Sequence, residues 1–482
     1  MNSFIDRLHF KNSGRVVSLA IAMLSLTGCT SVNFDDTLHQ VNQDLGEFST
    51  TPLQLVQTHE QRLEQQQKTD ALLSEPLQQY TAVQLALVNS PTLQALLAQS
   101  WSNAANAAQA GRILNPSFSF EQTTHLDEVE IGRRLSFGLL DILTLPLRQG
   151  IAERNLARAR TQLSNDVVEQ ITQVRQAWVK AVAAKQNHGY ATQVFDAAEA
   201  SAELAKRMQA VGNFTKLQRA RQQSFYADAA TQLATAQHQA TASKEALVRA
   251  LGLTGQQAAA MKLPDRLPNL PTQPRSPDAV SQAANKGRLD IQLAQSQLNA
   301  AAKAQGLTEI TSVVDIELGI RRDTVFDNGA GTATPRNGYE ISLKLPLFDF
   351  GGLRRDAMNA QTLAAANQLE ATVRNAGSNL RESYSAYRTA WDIANHYRQE
   401  VLPLRQLIAD ETLLQYNGMF IGVFDLLAES RSQISGVMAA LAAEQQFWLA
   451  DAALQAAQIG RPTVSNFNPS APNAAAANNA AH

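Results

Sequence analysis

Tyr339-Glu340-Ile341-Ser342-Leu343-Lys344-Leu345-Pro346-Leu347 is the stretch that decides how this chain is read. Apolar and polar residues alternate strictly up to Leu345. In an extended strand Tyr339, Ile341, Leu343, Leu345 and Leu347 share one face, and Glu340, Ser342 and Lys344 share the other. Upstream, Ile310, Ser312, Val314, Ile316, Leu318 and Ile320 alternate with Thr311, Asp315, Glu317, Gly319 and Arg321. Asp327-Asn328-Gly329-Ala330-Gly331 lies between the two runs and has the composition of a flexible turn. The pattern is a hairpin with one apolar and one polar face. A single hairpin of this kind is more often half-buried in a soluble domain. A transmembrane barrel strand needs about 9–11 such residues, with lipid on one side and a wet lumen on the other.

The hairpin has a weaker counterpart earlier in the chain, in Phe118 and Phe120 and then Ile131, Leu135, Phe137 and Leu139. The repetition extends further. Leu143-Thr144-Leu145-Pro146-Leu147 matches Leu343-Lys344-Leu345-Pro346-Leu347, and Leu93-Gln94 matches Ile291-Gln292. Arg175-Gln176-Ala177-Trp178 matches Arg381-Glu382-Ser383-Tyr384, and Gly212-Asn213-Phe214 matches Gly418-Met419-Phe420. The offset stays near 200 residues and the order is kept, which marks a duplication. Each half reads as a helix (about 80–112 and 277–306), a β region (about 113–147 and 309–348), a very long helix, a turn at Gly212 or Gly418, and a returning helix. Two hairpins at equivalent places favour the barrel over the soluble sheet. Four strands cannot close around a pore, because about eight are needed even for a filled barrel. Several copies must therefore pool their strands, and three would supply about twelve.

The helical parts are too long for a compact domain. No proline falls between Arg148 and Ala210, and apolar residues recur at Leu156, Leu163, Val167, Ile171, Val174, Trp178 and Val182. A 60-residue helix would extend roughly 90 Å. After Gly418, Val423, Leu427, Ile434, Val437, Leu441 and Trp448 run close to a heptad seam. These stripes read as packing seams. Pro403 is expected to kink or break its helix. Only 6% of residues are aromatic and 17% charged, a balance that suits closely packed long helices. The net charge of −2 gives no reason to expect nucleic acid.

At the N-terminus, Lys11 and Arg15 precede the apolar run Val16 to Leu26, the layout of a secretory signal. It ends in Leu26-Thr27-Gly28-Cys29, which resembles the bacterial lipobox, and Cys29 is the one cysteine of the chain. Acylation of Cys29 is expected, since several acyl chains hold a protein firmly to a leaflet. Thr30, where the resembled sorting pattern has Asp for retention, permits transfer to the outer membrane. The expected division is a signal peptide at 1–28, a periplasmic extension of open order at 29–79, a first repeat at 80–262, a Pro-rich linker at 263–277, a second repeat at 278–461 and a disordered tail at 462–482.

Leu345-Pro346-Leu347-Phe348-Asp349-Phe350-Gly351-Gly352-Leu353-Arg354-Arg355 resembles the strand-to-helix junction of the TolC outer-membrane factor family. Val401-Leu402-Pro403 and Tyr416-Asn417-Gly418, followed by Asp425-Leu426-Leu427, resemble that family's second helical tip, and the resemblance covers about 80–460. Two stretches depart from it. Ala428-Glu429-Ser430 follows the Leu pair where relatives often have Asp-Ala-Gln, and Leu147-Arg148-Gln149-Gly150 lacks the Phe-Asp-Gly-Gly element. The resemblance implies a mainly α fold with a small β part. Its long helical hairpins would form a trimeric α-barrel continuous with a 12-stranded transmembrane β-barrel, to which each chain gives four strands. It implies a homotrimer in outer-membrane lipid, meeting a periplasmic adaptor (membrane fusion) protein and loaded by an inner-membrane pump. Gly212, Asn213, Phe214, Asn417, Gly418 and Met419 are then the adaptor-contact tips. Asp425, Glu429, Asp410 and Glu411 are candidates for the family's acidic periplasmic gate, against the plainer reading of solvated surface carboxylates.

No two of the eight histidines have metal-ligand spacing on one helix face, and neither a phosphate-cradling glycine loop nor a nucleophile elbow occurs. No enzyme activity, cofactor or metal site is expected. The expected function is an exit duct for small molecules or metal ions. Two alternatives stay open: the outer-membrane part of a type I protein-secretion machine, and a non-conducting periplasmic coiled-coil lipoprotein.

Overall fold

The computed structural model describes residues 33–49, 51–284, 287–311, 315–344 and 347–462. The signal peptide, Cys29, the Leu345-Pro346 junction and nearly all of the tail lie outside the described residues.

The segment before the first repeat is ordered from its first described residues. Helix α1 (Phe34–Leu45) buries Phe34, Leu38, Val41 and Leu45, a spacing of three and four that puts all four on one face. A short 3₁₀ turn follows, and helix α2 (His59–Leu73) is opened by a capping box between Thr58 and Gln61. Helices α3 (Gln79–Asn89) and α4 (Pro91–Ala110) come next, with Ser90 capping Leu93 and Pro91 in the first turn of α4, where a missing N–H costs nothing.

Strands β1 (Ser117–His125) and β2 (Glu128–Gly138) lead through a short helix α5 (Leu139–Leu143) into helix α6 (Leu145–Ala210). At 66 residues α6 is about 100 Å long. Helix α7 (Lys216–Leu251) returns alongside it, capped by Thr215 and Gln218 and ended by Gly252 in the left-handed conformation. Helix α8 (Gly255–Ala260) then precedes the proline-rich link.

The second repeat retraces this order. It has helices α9 (Pro277–Ala284) and α10 (Leu289–Thr311), strands β3 (Asp315–Asp327) and β4 (Thr332–Lys344), and helix α11 (Gly352–His396). A π turn at Tyr397–Val401 carries α11 into helix α12 (Leu402–Asn417), and helix α13 (Val423–Ile459) returns. From Gly352 to Asn417 this composite rod is as long as α6. Of the kink or break expected at Pro403, the break does not occur. The π turn ahead of it absorbs the missing N–H and the ring, with the Leu402 N–H bonding to the Tyr397 carbonyl.

The β regions are narrower than expected. Ile310 lies in the last turn of helix α10 and does not start a strand, and Leu145 and Leu147 belong to α6. Leu143 to Leu147 is therefore helical where Leu343-Lys344 is strand, so that match marks the junction and not equivalent strands.

The core lies where the repeats and the N-terminal segment meet. Trp178 on α6 is fully buried and its Nε1–H donates to the Leu77 carbonyl at 2.6 Å. Arg175, one turn earlier, donates to the Phe48 carbonyl and to Gln455 on α13. Burial pulls the Arg175 guanidinium down to about 10, opposed by the charge of Asp451 nearby. The linker runs without helix or strand between α8 and α9 and is clamped along its length. Trp448 donates to the Pro268 carbonyl, Trp391 to the Pro271 carbonyl, and the Tyr387 hydroxyl accepts the Arg275 N–H. The two tryptophan bonds satisfy linker carbonyls, and the tyrosine satisfies a linker N–H, that a proline-rich segment cannot pair with itself.

Candidate functional site

The four strands form one antiparallel sheet in the order β1-β2-β3-β4, so the two repeats join edge to edge through β2 and β3. The register sorts the side chains cleanly. Ile320 lies opposite Leu135 and Tyr339, Leu318 opposite Phe137 and Ile341, and Ile316 opposite Leu343. All of these share one face, with Phe118 and Phe120 of β1. Tyr339, Phe118, Ile341 and Phe120 are 85%, 67%, 63% and 61% exposed, although they are among the most apolar residues of the sheet. Among the described residues, none covers these side chains.

The opposite face is charged. The Arg134 guanidinium bridges across two strands to Glu340 at 3.0 Å. Arg321 holds Asp323 at 2.7 Å and lies 3.7 Å from Glu130. Within the chain β1 and β4 are edge strands. Their backbone donors and acceptors on the outer side face no further strand among the described residues. No helix among the described residues is long and apolar enough to cross a membrane.

At the far end of the long helices lie the two hairpin tips. Gly212 takes φ +82° between α6 and α7, where a residue without a Cβ is unstrained. In the second tip Met419 takes φ +61°, and Met419 and Phe420 are 92% and 83% exposed. Phe214, by contrast, is buried. Its ring packs against Phe424 with centroids 4.6 Å apart, so the tips of both repeats lie side by side.

The four acidic candidates occupy different environments. Asp425 accepts the Gly422 N–H at 3.1 Å and caps its own helix. Glu429, one turn further, is half-buried and faces Arg405 of α12 across the hairpin at 3.8 Å. Asp410 accepts from Gln406 on its own helix, and Glu411 is exposed. Within one chain these four do not converge into one cluster.

Sequence reading missed the residue that ties the repeats together near the tips. Arg431 on α13 donates to the Gln222 side chain at 2.9 Å and to the Arg221 carbonyl at 3.4 Å, and stacks on the Phe225 ring at 4.3 Å. Burial lowers the pKa of Arg431, opposed by Asp228. Gln222 in turn accepts from Ser201 at 3.0 Å. These partners lie some 200 residues apart in sequence, and no local pattern links them. No group of three or more His, Cys, Asp or Glu side chains among the described residues could hold a metal ion.

No family model matches the chain, and no curated protein matches it by sequence. Solved structures match its shape closely. A membrane protein from Pseudomonas aeruginosa has 18% identity, with a TM-score of 0.64 over 81% of this chain and 93% of that one. The CmeC outer membrane channel of Campylobacter jejuni has 13% identity, with a TM-score of 0.65 over 85% and 89%. The outer membrane protein VceC of Vibrio cholerae has 16% identity, with a TM-score of 0.63 over 82% and 97%. The chain thus has the fold of these membrane proteins over nearly their whole length.

Proposed function

We propose that the chain is one of three identical subunits of an outer-membrane exit duct of the TolC outer-membrane factor type. The observation that carries this is the sheet. Its uncovered apolar face, its charged opposite face and its two open edges suit one third of a closed barrel. In lipid every backbone polar group must be paired, and closure alone leaves no edge. Three sheets of four strands give about twelve, enough to enclose a lumen lined by the Arg134, Glu340 and Arg321 face. The α6–α7 and α11–α13 hairpins then continue that lumen as a helical tunnel through the periplasm.

The finer assignments belong to the same reading. Cys29 carries the lipid anchor after removal of residues 1–28. The tips at Gly212, Asn213, Phe214, Asn417, Gly418 and Met419 meet a periplasmic adaptor, and an inner-membrane pump supplies small molecules or metal ions. Glu429 is the favoured gate residue, because it pairs across the hairpin with Arg405 and keeps a carboxylate oxygen buried without a hydrogen bond. Asp425, Asp410 and Glu411 are secondary candidates.

Reconstitution of the full chain into planar bilayers tests the proposal. Discrete ion-conducting steps from a trimeric preparation are expected, with larger or more frequent openings in Glu429→Ala. Persistent absence of conductance from trimers of correct mass would favour a non-conducting structural lipoprotein.

A further inference from the structure

The apolar face of the sheet carries a pair of arginines. Arg133 of β2 and Arg322 of β3 lie directly opposite each other in the register. Phe120 and Asn337 complete their row on β1 and β4. Directly opposed like charges on neighbouring strands are about 5 Å apart at the backbone and destabilise a sheet. The arginines of the other face avoid this cost with carboxylates: Arg134 has Glu340, and Arg321 has Asp323 and Glu130. Among the described residues, the Arg133–Arg322 row has no such partner. No strand residue on its face, from Phe118 to Leu343, is Asp or Glu. Arg133 donates to the Thr324 hydroxyl at 3.3 Å, and Arg322 is exposed.

The position of the row is as specific as its charge. Three apolar rows lie between it and the helical end of the sheet, and the face beyond it mixes Gln122, Thr124 and Thr324 with Ile131, Val129 and Phe326. Arg322 lies five positions from Asp327 at the loop end and seven from Asp315 at the helical end, about 12 Å and about 17 Å in depth at a 45° tilt. The pair therefore lies just outward of mid-strand, and its long side chains can snorkel along the wall toward the headgroup level.

We propose that Arg133 and Arg322 form a docking site for a phosphate group of an outer-leaflet glycolipid, with Phe120 and Tyr339 packing along its acyl region. This rests on the reading of the sheet as a membrane wall. Two guanidinium forks on adjacent strands match a phosphate monoester through several charge-assisted hydrogen bonds, and the anion removes their mutual repulsion. A trimer holds three such sites.

The test uses the acylated full chain in detergent, titrated with bisphosphorylated lipid A, with lipid A stripped of phosphate, and with inorganic phosphate as competitor. Bisphosphorylated lipid A is expected to bind best. Arg133→Gln with Arg322→Gln should weaken it roughly tenfold or more, the loss expected for charge-assisted hydrogen bonds. Arg134→Gln with Arg321→Gln, on the opposite face, should leave it unchanged. Arg322→Gln alone breaks no contact within the described residues and serves if the double variant fails to assemble. Equal affinity in the Arg133/Arg322 variants, equal binding of the dephosphorylated lipid, or displacement by inorganic phosphate at matching affinity would overturn the site. A separate arm places Trp at Ile341 or at Glu340 and adds brominated phospholipid. Quenching at Ile341→Trp alone upholds the membrane wall whatever the lipid A result. Absence of quenching there removes the wall, and this site with it.

Discussion

Ile341→Arg separates a lipid-facing sheet from a water-facing one. Ile341 is 63% exposed in the isolated chain and sits one row below Tyr339, opposite Leu318. If that face met water, Arg would cost no more than about 0.5 kcal/mol, as for most surface substitutions. If it meets hydrocarbon, each Arg costs up to about 2–4 kcal/mol, the value rising with depth toward the midplane. A trimer carries three copies, so the assembled duct loses up to roughly 6–12 kcal/mol, comparable to the whole stability of a folded domain. Ser342→Arg is the control. It changes the neighbouring residue on the charged face, opposite Glu317, and adds an attractive pair there. Folding into lipid vesicles across a urea series, with trimers resolved on cold gels, reads both variants. The expected result is loss of trimer for Ile341→Arg at urea concentrations that Ser342→Arg withstands. Trimers of undiminished stability in Ile341→Arg would refute the assignment of faces, and failure of Ser342→Arg alone would invert it.

Trp178→Phe removes the donor to the Leu77 carbonyl and should destabilise the core by about 1–3 kcal/mol. Chemical denaturation measures the loss, and hydrogen exchange should localise it to the N-terminal segment and the middle of α6. Gly252→Ala places a Cβ 2.3 Å from the Pro91 Cδ and forces an L-residue to φ +69°. The left-handed backbone alone costs about 1–2 kcal/mol, so the denaturation midpoint should fall. Glu444→Gln tests pH dependence. Burial raises the Glu444 carboxyl above its ordinary value, against the pull of Arg398 and Arg266. A group raised in the folded state stabilises fully below its unfolded pKa and loses that contribution as pH rises through the folded one. Stability measured from pH 4 to 7 should therefore shift in favour of Glu444→Gln relative to the parent. An unchanged difference across that range would remove the burial argument.

The alternation from Ile316 to Ile320 and from Tyr339 to Leu343 placed every side chain on the face that the register later gave it. Period two admits only two assignments, and in the barrel reading one of them turns the Arg134, Arg321 and Glu340 face toward lipid. The long α6 was readable from its lack of proline and its apolar stripe, because both are local properties. Strand ends were not. Ile310 continues the alternation but sits in the last turn of α10, where helix and strand patterns agree over two or three residues. The outcome at Pro403 was hidden because a π turn and a break answer the same lost hydrogen bond. The acidic candidates were chosen by position, yet their roles depend on reach. Asp425 turns to its own backbone, and Glu429 faces an arginine on the opposite helix. Arg431, Gln222 and Phe225 join across the two repeats, a contact that only the tertiary fold supplies.

Covalent closure of the wall is the most direct measurement. In one chain β1 and β4 are separated by β2 and β3, about 14 Å at a 4.8 Å strand spacing, beyond disulfide reach. Thr123→Cys on β1, combined in turn with Thr334→Cys, Arg336→Cys and Gly338→Cys on β4, scans the register between copies. At least one pair is predicted to give, on oxidation in the membrane, a ladder of covalent dimer and trimer that stops at three. Monomers for every pair, or a ladder that stops at two or runs past three, would contradict closure of three sheets into one barrel.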